Sequence, residues 1–111
     1  MENKVMRLGK IVKVPDGMIE EYKENHRHVP EEELKLIHDH NLRNYNIFYR
    51  DGYLFCYVEY IGDDYEADMK AIDEDPVSVS WYAKNAPCQT PVDTADEGEL
   101  WSPLEMVWHF D

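Results

Sequence analysis

Cysteine is scarce in this sequence. Cys56 and Cys88 are the two present, and their spacing fits neither a zinc motif nor a disulfide framework. Two free thiols are expected, in a cytoplasmic protein. Long apolar runs are missing as well, and no leader-like stretch precedes the first strand-like segment, so neither a membrane span nor a signal peptide is expected. Basic residues are few: 11 Lys and Arg stand against 24 Asp and Glu, for a formal net charge of −13. A surface of that sign repels phosphate backbones and anionic lipid, which excludes nucleic acid and membrane surfaces as partners. A neutral substrate is indifferent to it. Internal repeats and low-complexity tracts are absent too.

What remains is a chain of 111 residues, 43 % of them apolar and 32 % charged. That is one domain, residues 1–111, with one core. Val5 to Val14 reads as a strand. Met6, Leu8, Val12 and Val14 alternate with Arg7, Gly9, Ile11 and Lys13, and Lys10 breaks the pattern. Pro15-Asp16-Gly17 turns the chain, with Asp16 placed to cap a helix from Gly17 to His28. Pro30 suits the first turn of a second helix, and Glu31, Glu32 and Glu33 favour its N-terminus. Leu42 to Tyr49 and Tyr53 to Tyr60 read as strands joined by the tight turn Asp51-Gly52. Asp63 or Asp64 opens a helix bearing Tyr65, Met69 and Ile72, and Asp63 with Glu66 has capping-box spacing. Asp75-Pro76 restarts a short helix through Trp81 and Tyr82, and a loop follows from Pro87 to Gly98. Leu100 to Phe110 alternates as a closing strand.

The order βαββαβ predicts an α+β fold, a ferredoxin-like sandwich with an antiparallel sheet and helices on one face. Its other face, bearing Ile11 and Val107 among others, would then be bare. An apolar sheet face of that size is rarely left wet, so a homodimer packed sheet on sheet, a dimeric α+β barrel, is expected.

Ile19, Tyr22, His26 and Val29 recur at spacings of three and four and share an arc of about 80° on the first helix. The stripe carries a Tyr and a His where Leu would serve packing alone. By itself, a His on such a face is more often a hydrogen-bonded core residue. Tyr22, Tyr45 and Trp81, taken alone, also read as packing residues. His26-x-His28 and His38-x-His40 are rich in imidazole. Residues two apart on a helix point about 200° away from each other, however, so no metal site is expected there.

Several stretches together resemble the L-rhamnose mutarotase family. They are Glu20-Glu21-Tyr22 with Asn25-His26, Asn44-Tyr45-Asn46-Ile47, the pair Trp81-Tyr82, and Leu104-Glu105-Met106-Val107-Trp108-His109-Phe110. The resemblance covers nearly the whole chain in order. It implies a ferredoxin-like dimer that needs no metal or cofactor, with a monosaccharide as substrate. By position it makes His26 the catalytic acid/base and Tyr22, Tyr45, Trp81 and Tyr82 the sugar contacts. The family's aromatic pair is usually Trp-Trp, and its catalytic His is usually followed by Asn-Pro and soon a Trp. Here Tyr82 and Arg27-His28-Val29-Pro30 stand instead.

The implied reaction interconverts the α and β anomers of L-rhamnose or a related 6-deoxy hexose. A base takes the anomeric hydroxyl proton, an acid protonates the ring oxygen, and the open aldehyde rotates before closing on its other face. One placed proton-transfer group contributes about 10²–10⁴-fold, and imidazole suits it, with an ordinary pKa of about 6.5. Aromatic rings cover the C–H faces of sugars, and tyrosines add hydroxyls. Two other functions fit the same scaffold: a cofactor-independent oxygenase and a non-catalytic sugar-binding module.

Overall fold

A computed structural model describes residues 4–111. The chain runs β1 (Met6–Lys13), α1 (Ile19–His26), α2 (Glu31–Asp39), β2 (Leu42–Arg50), β3 (Tyr53–Tyr60), α3 (Tyr65–Glu74), α4 (Pro76–Asn85) and β4 (Ser102–Leu104), with one 3₁₀ turn at Ala86–Cys88. The four strands form one antiparallel sheet in the order β2-β3-β1-β4. Helices cover one face. This is the ferredoxin-like α+β arrangement that the element order predicts.

Local chemistry explains most boundaries. Asp51 and Gly52 have φ of +50° and +87°, which matches the twist of a tight β2–β3 hairpin. Asn41 follows α2 with φ of +72°, a left-handed residue at the helix end. The Asp64 carboxylate accepts from Ala67 N at 3.1 Å and caps α3, while Asp75 accepts from Val77 N at 2.9 Å and caps α4 just before Pro76. Of the two candidates, Asp63 and Asp64, the capping residue of α3 is Asp64. Asp16 caps nothing. The residue before α1 is Met18, which makes no side-chain cap, because Gly17 at φ of +81° carries the chain away from Asp16.

The closing strand is shorter than its sequence pattern. Only Ser102–Leu104 pairs with β1, and residues 105–111 continue outside the sheet. Their alternation has no strand within the chain to meet. Val107, Trp108 and Phe110 remain 85 %, 78 % and 79 % exposed. The tail stretches the molecule to 48 Å in its longest dimension, with a radius of gyration of 14.5 Å, against about 13 Å for a compact chain of this size. Val107 thus stands in this tail and not on the sheet face. Ile11 does lie on that face, with Phe48, Tyr53, Phe55 and Tyr57 on neighbouring strands.

The core lies between sheet and helices and is divided. One cluster joins Val12, Val14, Tyr22, Leu54 and Cys88; the other joins Leu42, Cys56, Val58, Tyr60 and Ile72. Trp101 packs against both. The candidate site lies at the first cluster, where Tyr22, Leu54, Ile19 and Ile47 line an open cleft.

Candidate active site

Helix α1 supplies the first two groups. Tyr22 and His26 are one turn apart on the inward stripe, and their rings stack with centroids 4.1 Å apart at 24°. His26 Nδ1 lies 3.0 Å from the Tyr22 carbonyl oxygen. A carbonyl only accepts, so Nδ1 carries the proton and Nε2 keeps its lone pair. Burial holds the imidazole below its ordinary value of 6.5, against the opposing pull of that carbonyl. The ring is thus neutral near pH 7, with a free base nitrogen. Trp81, from α4, meets the same ring edge-on at 5.0 Å and 62°.

Strand β2 brings in Tyr45 by an irregularity. Arg43 pairs with Glu59 and Asn46 with Tyr57, so Asn44 and Tyr45 together oppose Val58. This one-residue bulge is built on Asn44, whose φ is +49°. Asn is one of the few side chains that tolerate the left-handed region. The bulge has a consequence for facing. Leu42 and Tyr45 are an odd number of residues apart and would lie on opposite faces of a regular strand. With the extra residue both face the helices. Tyr45 is 49 % exposed as a residue, yet its hydroxyl end reaches inward against the Cys56 thiol. Burial there raises its pKa well above 10, and the nearby Tyr82 and Tyr22 hydroxyls push it the same way.

Tyr82 projects from α4 beside Trp81, and its hydroxyl donates to Asp73 Oδ1 at 2.8 Å. Burial raises its pKa first, and the Asp73 carboxylate adds to this. Behind it the buried Glu33 carboxylate accepts from Ser78 Oγ at 2.6 Å. Burial pushes the Glu33 carboxyl up, and Asp75 and Asp73 push it further.

All five residues singled out in the sequence therefore converge. His26 stacks on Tyr22 and touches Trp81, while the Tyr45, Tyr22 and Tyr82 hydroxyls share one neighbourhood. A cleft of about 500 Å³ opens beside Tyr22 and His26, lined also by Ile19, Ile47, Tyr49 and Leu54; Tyr45, Trp81 and Tyr82 do not line it. The other histidines go elsewhere: His28 to Glu24, His40 to the Leu36 carbonyl. Among the described residues no three His, Cys, Asp or Glu side chains gather as metal ligands.

Three features of the site lie outside the sequence reading. Asn25, on α1, is 8 % exposed and donates through Nδ2 to Asn85 Oδ1 at 3.1 Å, while Asn85 donates to the Trp81 carbonyl at 3.0 Å. This amide pair ties α1 to α4 and so fixes His26 against Trp81. Cys56 forms the floor under Tyr45. Lys10 pairs with Cys56 and shares the helix-facing side of β1 with Leu8 and Val12. An asparagine on the helix face and a lysine in a strand's apolar register were the available signals.

The arrangement offers a neutral imidazole, aromatic plates at several angles and tyrosine hydroxyls above a small cleft. The model of the L-rhamnose mutarotase family matches residues 7–110, almost the full chain. The chain belongs to the L-rhamnose mutarotase family. This is a family of isomerases. The fold is also similar to that of an L-rhamnose mutarotase from Formosa agariphila, with a TM-score of 0.75 and 23 % identity, covering 96 % of this chain and 99 % of that one. A protein described as an antibiotic biosynthesis monooxygenase from Nitrosomonas europaea shares the fold at a TM-score of 0.61 and 14 % identity, covering 94 % of this chain and 89 % of that one. No curated protein sequence matches the chain significantly.

Proposed function

We propose that this L-rhamnose mutarotase family member exchanges the α and β anomers of L-rhamnose by acid/base ring opening, with His26 moving the proton. The observation that carries the reading is the state of His26. Its Nδ1–H is fixed on the Tyr22 carbonyl and its Nε2 is a free base in a half-buried ring beside the cleft. His26 takes the anomeric hydroxyl proton and, as the C1–O5 bond breaks, passes it to O5. The C1 carbonyl turns over, His26 takes the proton back from O5 as O5 attacks the other face, and His26 then returns it to O1. Tyr22 and Trp81 flank the imidazole, and their ring faces suit the C–H surface of the sugar. Tyr45 contributes its hydroxyl, and Tyr82 its ring. The step has no need of a metal or an oxidant.

The oxygenase alternative rests on the fold shared with the monooxygenase-like structure, and fold alone does not carry chemistry. The family match favours the sugar. Saturation-transfer NMR with a panel of aldoses checks this. Exchange of L-rhamnose anomers above the buffer rate is expected, and a rate equal to that of buffer would refute the assignment.

The working unit is a homodimer packed sheet on sheet. Ile11, Phe48, Tyr53, Phe55 and Tyr57 make the outer sheet face apolar, and the stacked pair Trp108–Phe110 stands exposed in the tail beside it. Light scattering at micromolar concentration should give the mass of two chains. Removal of residues 106–111 should weaken the dimer. No described helix is long and apolar enough to cross a membrane. A cytoplasmic location fits the two free, buried thiols.

A further inference from the structure

Charge is distributed unevenly around the cleft beside His26. The chain carries 24 Asp and Glu against 11 Lys and Arg. Among the described residues, however, those that line the cleft include Lys23 and Arg27 and no carboxylate. Both cations come from α1, three residues before His26 and one after it. With Ile19 and Tyr22 they recur at helical spacing and share one face of the helix. Strand β2 forms the opposite wall through Ile47 and Tyr49, and the strand carries no Asp or Glu anywhere from Leu42 to Arg50. The Lys23 ammonium lies 5.8 Å from the centroid of the Tyr49 ring. Its side chain therefore leans from α1 toward β2, from one wall of the cleft to the other.

Neither cation is committed elsewhere. The side chains of Lys23 and Arg27 are 48 % and 58 % exposed, and each meets a carboxylate one turn earlier, Glu20 at 3.7 Å and Glu24 at 2.5 Å. Glu20 and Glu24 do not line the cleft. Ion pairs as exposed as these are weak, so both cations can turn to an anion in the cleft at little cost. The surroundings make their placement informative. A protein of net charge −13 repels anions overall, and a cleft walled by the opposite sign offsets that repulsion locally. A neutral sugar gains nothing from it.

We propose that the cleft accepts, besides L-rhamnose, aldoses that carry an anionic group at C6, held by Lys23 and Arg27. The inference rests on the mutarotase reading and widens its substrate class. With C1 at His26, the rest of the pyranose lies along α1. Lys23 stands one turn away, where side chains start about 5–6 Å apart. C6 is the carbon of a hexopyranose that stands off the ring on its own arm, so a charge there reaches the wall while the ring stays at His26. In L-rhamnose that arm ends in a methyl group, in a uronate it ends in a carboxylate, and in a 6-phosphate in a phosphoester. The Arg27 guanidinium can take two oxygens of either anion, and Lys23 adds a point charge. Proton exchange at C1 and O5 is the same for all three.

The test uses L-mannose, L-mannuronate and L-mannose 6-phosphate, which share the ring of L-rhamnose and differ at C6 alone. Saturation-transfer NMR gives kcat/KM for anomer exchange of each, at low and high salt, and circular dichroism confirms that every variant folds. At low salt at least one charged sugar should exceed L-mannose by about 10-fold, the scale of two exposed charge pairs; which one does so tells carboxylate from phosphoester. The ratio should fall as salt rises. It should drop to one or below when Lys23→Gln and Arg27→Gln are combined, and survive in Lys23→Arg. Glu24→Gln should raise it, since Arg27 then has no competing carboxylate. Equal values for all three sugars in wild type, or a ratio unchanged in the double variant, would overturn the proposal. Absence of exchange for every sugar, L-rhamnose included, would instead overturn the mutarotase reading itself.

Discussion

Replacing His26 separates the chemistry of the site from its packing. The imidazole makes one hydrogen bond to the Tyr22 carbonyl, one stack on Tyr22 and one edge contact with Trp81. The bond contributes about 1 kcal/mol and each aromatic contact about 0.5–1.5 kcal/mol. His26→Ala should therefore cost about 2–4 kcal/mol of stability, besides any acid/base role. His26→Phe keeps a ring in the same place and should cost less. Both variants should lose about 10²-fold or more in anomer exchange, since neither can move a proton. The pH profile gives a second check. Burial depresses the His26 pKa below 6.5, so Nε2 is a free base at pH 7. Exchange should be level near neutrality and fall only as the pH drops below 6.5. The stability linkage has the same direction. The unfolded chain binds this proton more readily, so stability present above 6.5 is lost as the pH falls through the depressed value. Saturation-transfer NMR measures the exchange, and circular dichroism confirms folding. Wild-type exchange in His26→Phe, or an acid limb centred above 6.5, would refute the role of His26.

Asn44→Val places a β-branched residue at φ of +49° and should cost about 1–2 kcal/mol. Exchange should fall with it as Tyr45 loses its inward direction, whereas Asn44→Gly should keep both stability and rate; thermal melts and NMR report the two. Tyr82→Phe removes a hydroxyl that already donates to Asp73 at 2.8 Å, so stability should drop by about 1 kcal/mol while exchange stays near wild type; a large loss of exchange would show that the hydroxyl meets the sugar. Burial and the nearby Asp73 and Asp75 raise the Glu33 carboxyl, so its ionised form opposes folding near neutral pH. Glu33→Gln should melt higher than wild type at pH 7.5, and the gap should close as the pH falls and wild-type Glu33 takes up its own proton.

The sequence by itself determined what depends on neighbours along the chain. The hairpin at Asp51-Gly52, the start of α4 at Asp75-Pro76 and the shared stripe of Tyr22 and His26 are local facts, set by φ preference and helical period. The placement of the second Tyr and of the Trp-Tyr pair was legible only through likeness to a family. Tertiary structure decided the rest, because it depends on which strand a residue meets. The Asn44 bulge exists only in the mismatch between β2 and β3, and it alone turns Tyr45 to the side of Leu42. Lys10 looked like a lapse in period until the register put it opposite Cys56, between two cores. Leu100 to Phe110 has strand alternation, but alternation gives no partner. Only Ser102–Leu104 finds backbone to pair with in β1, and the remaining apolar residues are left in solvent, where nothing within the described chain covers them.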